Sequence, residues 1–414
     1  MKKQTIWRRL RALPLSLALI LGAALPLGTS ISEKEMKAIR TGSSRIDLVQ
    51  ETGAQAHVDA SSLAEESRVT HAVALALSEG RLTAEDLAVE TLSREALQGL
   101  SVYPGGMPFG IKFYTEGVTV VGFCDVETAS GKVNPARDAG LRQKDVILRV
   151  NGEELMGANE LTERIESGEG RELTLLCRRG KEELEIRLRP AYCPAEGRYK
   201  TGIWVRDSGA GIGTVTFILP DTGAFGGLGH GVCDADTGAL VSMRRGNVTD
   251  VTISSVVKGA AGAPGELKGY FRAGKAGALL GNSACGVWGV FSEVPEVERE
   301  AVPVGMREEL CEGEAHILCT LDDNEIGEYA VRISNIRRDA AGAKCFTVTV
   351  TDPKLLARTG GIVQGMSGSP IIQDGKIIGA VTHVLINDPT TGYGIFLENM
   401  LTAVNLPMAK TSQN

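Results

Sequence analysis

The chain has no Cys-x-x-Cys pair, and its cysteines and histidines form no cluster at zinc spacing, so a bound zinc is not expected. It has no basic stripe either. Lys and Arg number 44 against 51 Asp and Glu, a net charge of −7, which argues against nucleic acid as a partner. Aromatic residues are few, at 5% of the chain, and only five of its 414 residues are histidine. Proton transfer near neutral pH therefore has five imidazoles to draw on.

Glycine is plentiful. The chain has 51, and they are most concentrated between 202 and 289, which fits an all-β region rich in turns. The length exceeds that of one hydrophobic core and predicts two domains plus a tail. Eight cysteines are scattered from Cys124 to Cys345. An oxidising compartment would let them pair, buried free thiols are the other reading, and spacing does not choose.

At the amino end, Lys2, Lys3, Arg8, Arg9 and Arg11 precede an uncharged, Leu-rich stretch of 21 residues, 12–32. That is about the length needed to cross a bilayer. The basic residues ahead of it predict a cytoplasmic amino end and an exported remainder. Pro14 and Pro26 shorten its helical core, but no clear small-x-small cleavage site follows. Residues 1–32 therefore read as a membrane-targeting signal-anchor rather than a cleaved signal peptide. Residues 33–100 read as a polar linker with short helices at 62–78 and 83–97. It carries no evident chemistry, and His57 and His71 are expected to face solvent.

From Tyr103 the character changes. Gly105, Gly106, Met107, Phe109, Gly110 and Ile111 lead into a strand at 118–123. Pro135-Ala136, Ala139-Gly140-Leu141, Asp145-Val146-Ile147 and Asn151-Gly152 follow in order. The series resembles a PDZ domain of the bacterial protease-associated kind, spanning residues 101–192. Such a fold binds an extended peptide at a sheet edge and captures a terminal carboxylate with a loop of N–H groups. Residues 105–111 stand where that loop belongs, although Pro104 and Pro108 each remove a donor. Residues 159–167 would be the groove helix, with closing strands at 172–177 and 183–188.

Beyond Thr201 the chain reads as strands, at 213–219, 239–241, 251–257, 269–273, 315–321, 328–333, 346–350 and 371–381, separated by Gly-rich turns. Between two apolar runs stands Gly365-Met366-Ser367-Gly368-Ser369-Pro370. Glycines on both sides of a serine let its hydroxyl project while nearby N–H groups converge, as acyl transfer through serine requires. The hexapeptide resembles the Gly-Asp-Ser-Gly-Gly-Pro nucleophile loop of chymotrypsin-like proteases. That likeness implies a mainly β fold, with a chymotrypsin-like double β-barrel over residues 200–414 following the PDZ domain.

A serine nucleophile needs a base, and the base a carboxylate to orient it. His230 lies in the Gly-rich loop 225–234, 137 residues before Ser367, a separation that suits base and nucleophile drawn from two barrels. His316 alternates within a strand and reads as structural. His383 follows the strand after the nucleophile turn and could lie near the site, but the order Ser-then-His is wrong for a chymotrypsin-like arrangement. Asp352, Asp234, Asp236 and the pair Asp322-Asp323 are the available carboxylates, and spacing does not decide among them.

The PDZ-then-β order, the loop at 225–231, the turn at 365–371 and the run at 382–394 together resemble the stage IV sporulation protein B peptidases of endospore-forming bacteria. The resemblance runs along the whole chain and is most specific in the last hundred residues. It implies a triad of His230 as base, Ser367 as nucleophile and Asp352, 15 positions before Ser367, as the orienting carboxylate. The N–H groups of Gly365 and Ser367 would form the oxyanion hole. It also implies export across the inner forespore membrane, self-cleavage within 33–100, and cleavage of a membrane-associated regulatory protein in the space between forespore and mother cell. That cut would release an intramembrane protease that activates a late sigma factor. The PDZ loop would hold substrate or the chain's own amino-terminal segment. No cofactor is expected. A general envelope quality-control protease is a competing reading, weakened because those enzymes carry the PDZ domain after the protease. A non-catalytic PDZ scaffold is another, weakened by the intact His, Asp and Ser.

Overall fold

Two 16-residue strands, Pro108–Phe123 and Ile203–Ile218, carry the chain out of a β-barrel into a smaller unit and back again. The computed structural model describes residues 94–403, except 237, 275, 296–298 and 323–324. The expected anchor at 1–32 and the linker helix at 62–78, with His57 and His71, lie outside the described residues. Helix α1 (Arg94–Leu97) is the described end of the helix expected at 83–97.

In chain order, β1 (Ser101–Pro104) and β2 (Pro108–Phe123) come first. The smaller unit follows: β3 (Val126–Thr128), β4 (Gly131–Val133), α2 (Pro135–Asp138), β5 (Val146–Val150), β6 (Glu153–Glu154), α3 (Ala158–Ser167), β7 (Leu173–Arg179), β8 (Glu182–Leu188), β9 (Ala191–Cys193) and β10 (Arg198–Lys200). Of these, α2, β5, α3, β7 and β8 were expected from the sequence, and local chemistry explains them. Asn134 caps α2, its side chain accepting from the Arg137 N–H at 3.0 Å, and Pro135 opens the helix. Asn151 and Gly152 both take positive φ, +54° and +84°, the turn that joins twisted antiparallel strands best. Helix α3 buries Leu161 and Ile165, one turn apart, against a core that includes Val118, Val120, Ile147 and Leu175. Each such side chain contributes roughly 1.5–3 kcal/mol.

The chain then returns through β11 (Ile203–Ile218), β12 (Ala224–Gly227), β13 (Met243–Val257), β14 (Glu266–Phe271), β15 (Gly277–Ser283), β16 (Gly286–Phe291) and β17 (Val302–Pro303). Their antiparallel pairings run in a circuit: β11 to β12, β12 to β16, β16 to β15, β15 to β13, β13 to β2, and β2 back to β11. Phe109, Ile111, Val215, Phe225, Val248 and Leu279 fill this ring. The last third closes a second barrel from β18 (Gly313–Thr320), β19 (Ile326–Ser334), β20 (Phe346–Val350), β21 (Pro370–Gln373), β22 (Lys376–Leu385) and β23 (Asp388–Phe396). Helix α4 (Pro353–Thr359) leads from β20 toward β21, and α5 (Leu397–Thr402) follows β23. All eight cysteines are free.

Two expectations are corrected. The smaller unit does not precede the barrels; it is inserted in the first of them, between β2 and β11. Residues 101–114 therefore belong to the barrel, while Ile203 and Val205, expected to lie beyond the unit, pack on its core. The second correction follows from the first. Gly105, Gly106, Met107, Phe109, Gly110 and Ile111 form no carboxylate-binding loop. The Gly105 and Gly106 N–H groups donate to the carbonyls of Thr216 and Val215, both at 2.9 Å. The Met107 carbonyl accepts from Val215 N–H at 3.0 Å. Phe109, Gly110 and Ile111 pair with Gly213, Ile212 and Gly211. The donors are spent on the barrel, and Phe109 and Ile111 are buried in it.

Candidate active site

The nucleophile turn links α4 to β21 and is clamped from across the molecule. Gly365 and Gly368 take φ of +98° and +97°, a region open mainly to glycine. Strand β11 of the first barrel grips this turn. The Thr214 N–H donates to the Ser367 carbonyl (2.9 Å), the Thr214 hydroxyl to the Gly365 carbonyl (2.7 Å) and the Thr216 hydroxyl to the Gly368 carbonyl (2.7 Å). The grip is close: a Cβ on Gly368 would lie 2.0 Å from the Thr214 carbonyl oxygen. The turn presents Ser367 to a cleft and seals Ser369 away at 0% exposure. Of the two serines, only Ser367 is thus open to a ligand in the cleft. In this arrangement the Ser367 hydroxyl donates to the Thr382 carbonyl at 2.7 Å. Among the described residues, neither the Gly365 nor the Ser367 N–H is bonded to a protein acceptor, as an oxyanion hole requires.

His230 reaches the same cleft from the other barrel, just past β12. Leu228 and Gly229 bend the chain there with φ of +65° and +67°. Asn282 of β15 secures the loop, its side chain accepting from Val232 N–H and donating to the carbonyls of Val232 and Val241. The His230 Nδ1 lies 3.0 Å from the Gly231 carbonyl. A carbonyl only accepts, so Nδ1 carries the proton and Nε2 the lone pair that a general base needs. Burial holds this imidazole below its ordinary range, and the Gly231 carbonyl partly offsets that.

His383, set aside in the sequence for its chain order, sits beside the base. The two ring centroids are 4.8 Å apart and the planes are tilted by 38°. Burial first, then the neighbouring His230 and Lys344, push it down to about 4. One signal could have found it. Strand β21 follows the nucleophile turn and β22 comes next; the Val381 carbonyl of β22 accepts from the Gly368 N–H at 2.7 Å, and His383 comes two residues later.

Asp352 is placed differently. It is the N-cap of α4, its carboxylate accepting from the N–H groups of Lys354 (2.8 Å) and Leu355 (2.9 Å). It does not line the cleft that holds His230 and Ser367. The structure thus brings two of the three expected triad members together. Aspartate followed by proline is a strong helix-start signal, and its carboxylate is engaged there. Of the other carboxylates weighed, Asp234 and Asp236 pair with Arg206, and Asp322 pairs with Arg358. His316 pairs with Glu328 at 3.9 Å on the surface of the second barrel.

The cleft measures about 1140 Å³ and runs from Ser367, His230 and His383 to Lys144 and Arg178 of the smaller unit. A projecting serine between glycines, a neutral imidazole with a free Nε2, and unclaimed N–H groups at the serine define a serine peptidase. The comparisons specify which kind. Residues 197–401 match the SpoIVB peptidase S55 family. The protein is thus a serine endopeptidase. No curated protein matches it. Among solved structures, it is similar to a thermostable serine protease, AL20, from an extremophilic microorganism. The two are 12% identical over 47% of this chain and 91% of that one, with a TM-score of 0.29. The active form of the Rv3671c protease of M. tuberculosis is 14% identical over 49% and 78% of the two chains, with a TM-score of 0.26. The PDZ domain of an SdrC-like protein from Listeria monocytogenes is 21% identical over 22% and 87%, with a TM-score of 0.18.

Proposed function

We propose that this chain is an exported serine endopeptidase of endospore formation, built as a chymotrypsin-like pair of barrels, that cleaves itself and then a membrane-associated regulatory protein. The observation that carries the reading is the meeting of Ser367 and His230 in one cleft within a SpoIVB peptidase domain. His230 Nε2 takes the proton from Ser367 Oγ as the oxygen attacks the scissile carbonyl. The oxyanion is received by the N–H groups of Gly365 and Ser367, a contribution of several kcal/mol in such sites. The same proton then passes to the leaving amine. The smaller unit borders the cleft through Lys144 and Arg178, so a long substrate leaving the active site runs along it. Export through residues 12–32, anchoring to the membrane, and action in the space between forespore and mother cell belong to the same reading.

The test uses full-length protein. A serine-directed phosphonate should label Ser367, and the wild-type protein should trim itself within residues 33–100 while Ser367→Ala stays intact. A labelled but untrimmed wild-type protein would keep the peptidase and remove self-cleavage. Trimming that persists in purified Ser367→Ala would remove the serine mechanism.

A further inference from the structure

The catalytic base acquires a positive charge when it takes the serine proton, and that charge forms in a largely buried ring. Asp352 caps α4, and His230 Nδ1 is held by a backbone carbonyl, which orients the ring but carries no charge. The side chain packed against the base is His383, 4.8 Å away ring to ring. Its Nδ1 is buried and has no hydrogen-bond partner among the described residues. An unpaired buried polar atom is costly and calls for an explanation. The titratable groups around His383 are His230 across the cleft, Lys344 on the loop before β20, and Tyr393 opposite it on β23. Burial first, then His230 and Lys344, disfavour a second positive charge, so His383 stays neutral and does not repel the imidazolium of His230.

We propose that His383 is the positioning residue of the catalytic base, its ring fixing the His230 imidazole and its unpaired nitrogen serving the imidazolium that forms beside it. The inference rests on the serine-peptidase reading. His383 itself gains and loses nothing. The Ser367 O–H bond breaks, its proton goes to His230 Nε2, and the oxygen forms the bond to the carbonyl carbon. The C–N bond then breaks and the leaving nitrogen takes the proton from Nε2.

The experiment follows full-length His383→Ala, His383→Asn and His383→Asp with a small activated ester across pH, alongside melting temperature and phosphonate labelling of Ser367. In His383→Ala, kcat should fall by at least about tenfold with KM little changed, the size of one lost transition-state contact. His383→Asn should recover part of kcat by returning a polar atom. His383→Asp places a carboxylate beside the base, so the acid limb of the kcat/KM profile should move to higher pH. The limb moves only if position 383 faces the His230 imidazole closely, and the kcat loss at unchanged KM is what a merely structural side chain would not give. Wild-type kcat in His383→Ala, or an unmoved limb in His383→Asp, overturns the proposal. If His383→Ala fails to fold, the limb in His383→Asp decides alone. Failure of the serine mechanism itself would show as loss of the Ser367 label in the wild-type protein, whereas failure of this proposal shows only in the variants.

Discussion

Replacing Thr214 by valine should weaken catalysis without touching a group that meets substrate. The Thr214 hydroxyl donates to the Gly365 carbonyl at 2.7 Å, and the residue is 1% exposed. Valine keeps the shape but leaves that carbonyl without its donor, at a cost of roughly 1–3 kcal/mol. The cost falls on the turn that carries both oxyanion donors and Ser367. If about 1.4 kcal/mol of it is felt in the transition state, the rate drops about tenfold. The assay is kcat/KM for a small activated ester, read beside the melting temperature. Each kcal/mol lost should lower that temperature by roughly 2–4 °C in a domain of this size. Thr214→Ser returns the hydroxyl and should restore most of the rate. An unchanged rate in Thr214→Val with a lowered melting temperature would refute the reasoning, because the bond would then only join the two barrels.

Gly368→Ala should lose nearly all activity and several kcal/mol of stability, since its Cβ would fall 2.0 Å from backbone oxygen at a φ of +97°; chemical denaturation measures this. Ser369→Ala should keep activity within about threefold and lose no stability, because the Ser369 hydroxyl is buried with no partner among the described residues. Its inactivation with Ser367→Ala still active would reverse the assignment. Depressed folded-state values for His230 and His383 place the acid limb of kcat/KM below pH 6.5. They also make folding stability fall with acid. The unfolded chain takes protons near 6.5 that the folded one refuses, so stability is lost from there down to about 4, where His383 titrates. Equilibrium unfolding at several pH values checks the sign.

Much of this was legible in the sequence, and what was missed has physical causes. The strand expected at 346–350 is β20, a run of alternating burial with a β-branched or aromatic residue at every position. Strands β15 and β16 were not expected because glycine argues against strand. Here it is required: a Cβ on Gly277 would meet the Val290 carbonyl oxygen at 2.3 Å, and one on Gly289 the Ala278 carbonyl oxygen at 2.2 Å. Strand β13 begins at Met243, well before the expected 251. Its polar first half, including Arg244, Arg245 and Asn247, hides the strand that pairs with β2. Ser367 and His230 could be found because glycines must surround such groups. His383 was harder to find: its place soon after the nucleophile turn was a signal, but its contact with His230 depends on how the two barrels meet. Glycines and apolar residues at 105–111 suit a binding loop and a barrel strand equally, and only register tells them apart.

The way the smaller unit joins the first barrel has a practical consequence. Tyr114 and Ser208, the points where the chain leaves and re-enters the ring, are direct partners across the β2–β11 ladder. The chain between them leaves and returns on adjacent rungs, so excising 115–207 and bridging the gap with a tight two-residue turn would convert the two long strands into an ordinary hairpin, at the loss of the Arg206 pairs with Asp234 and Asp236. A cut at residue 101 or 192 would instead tear out a stave. A minimal peptidase would be cut along that seam.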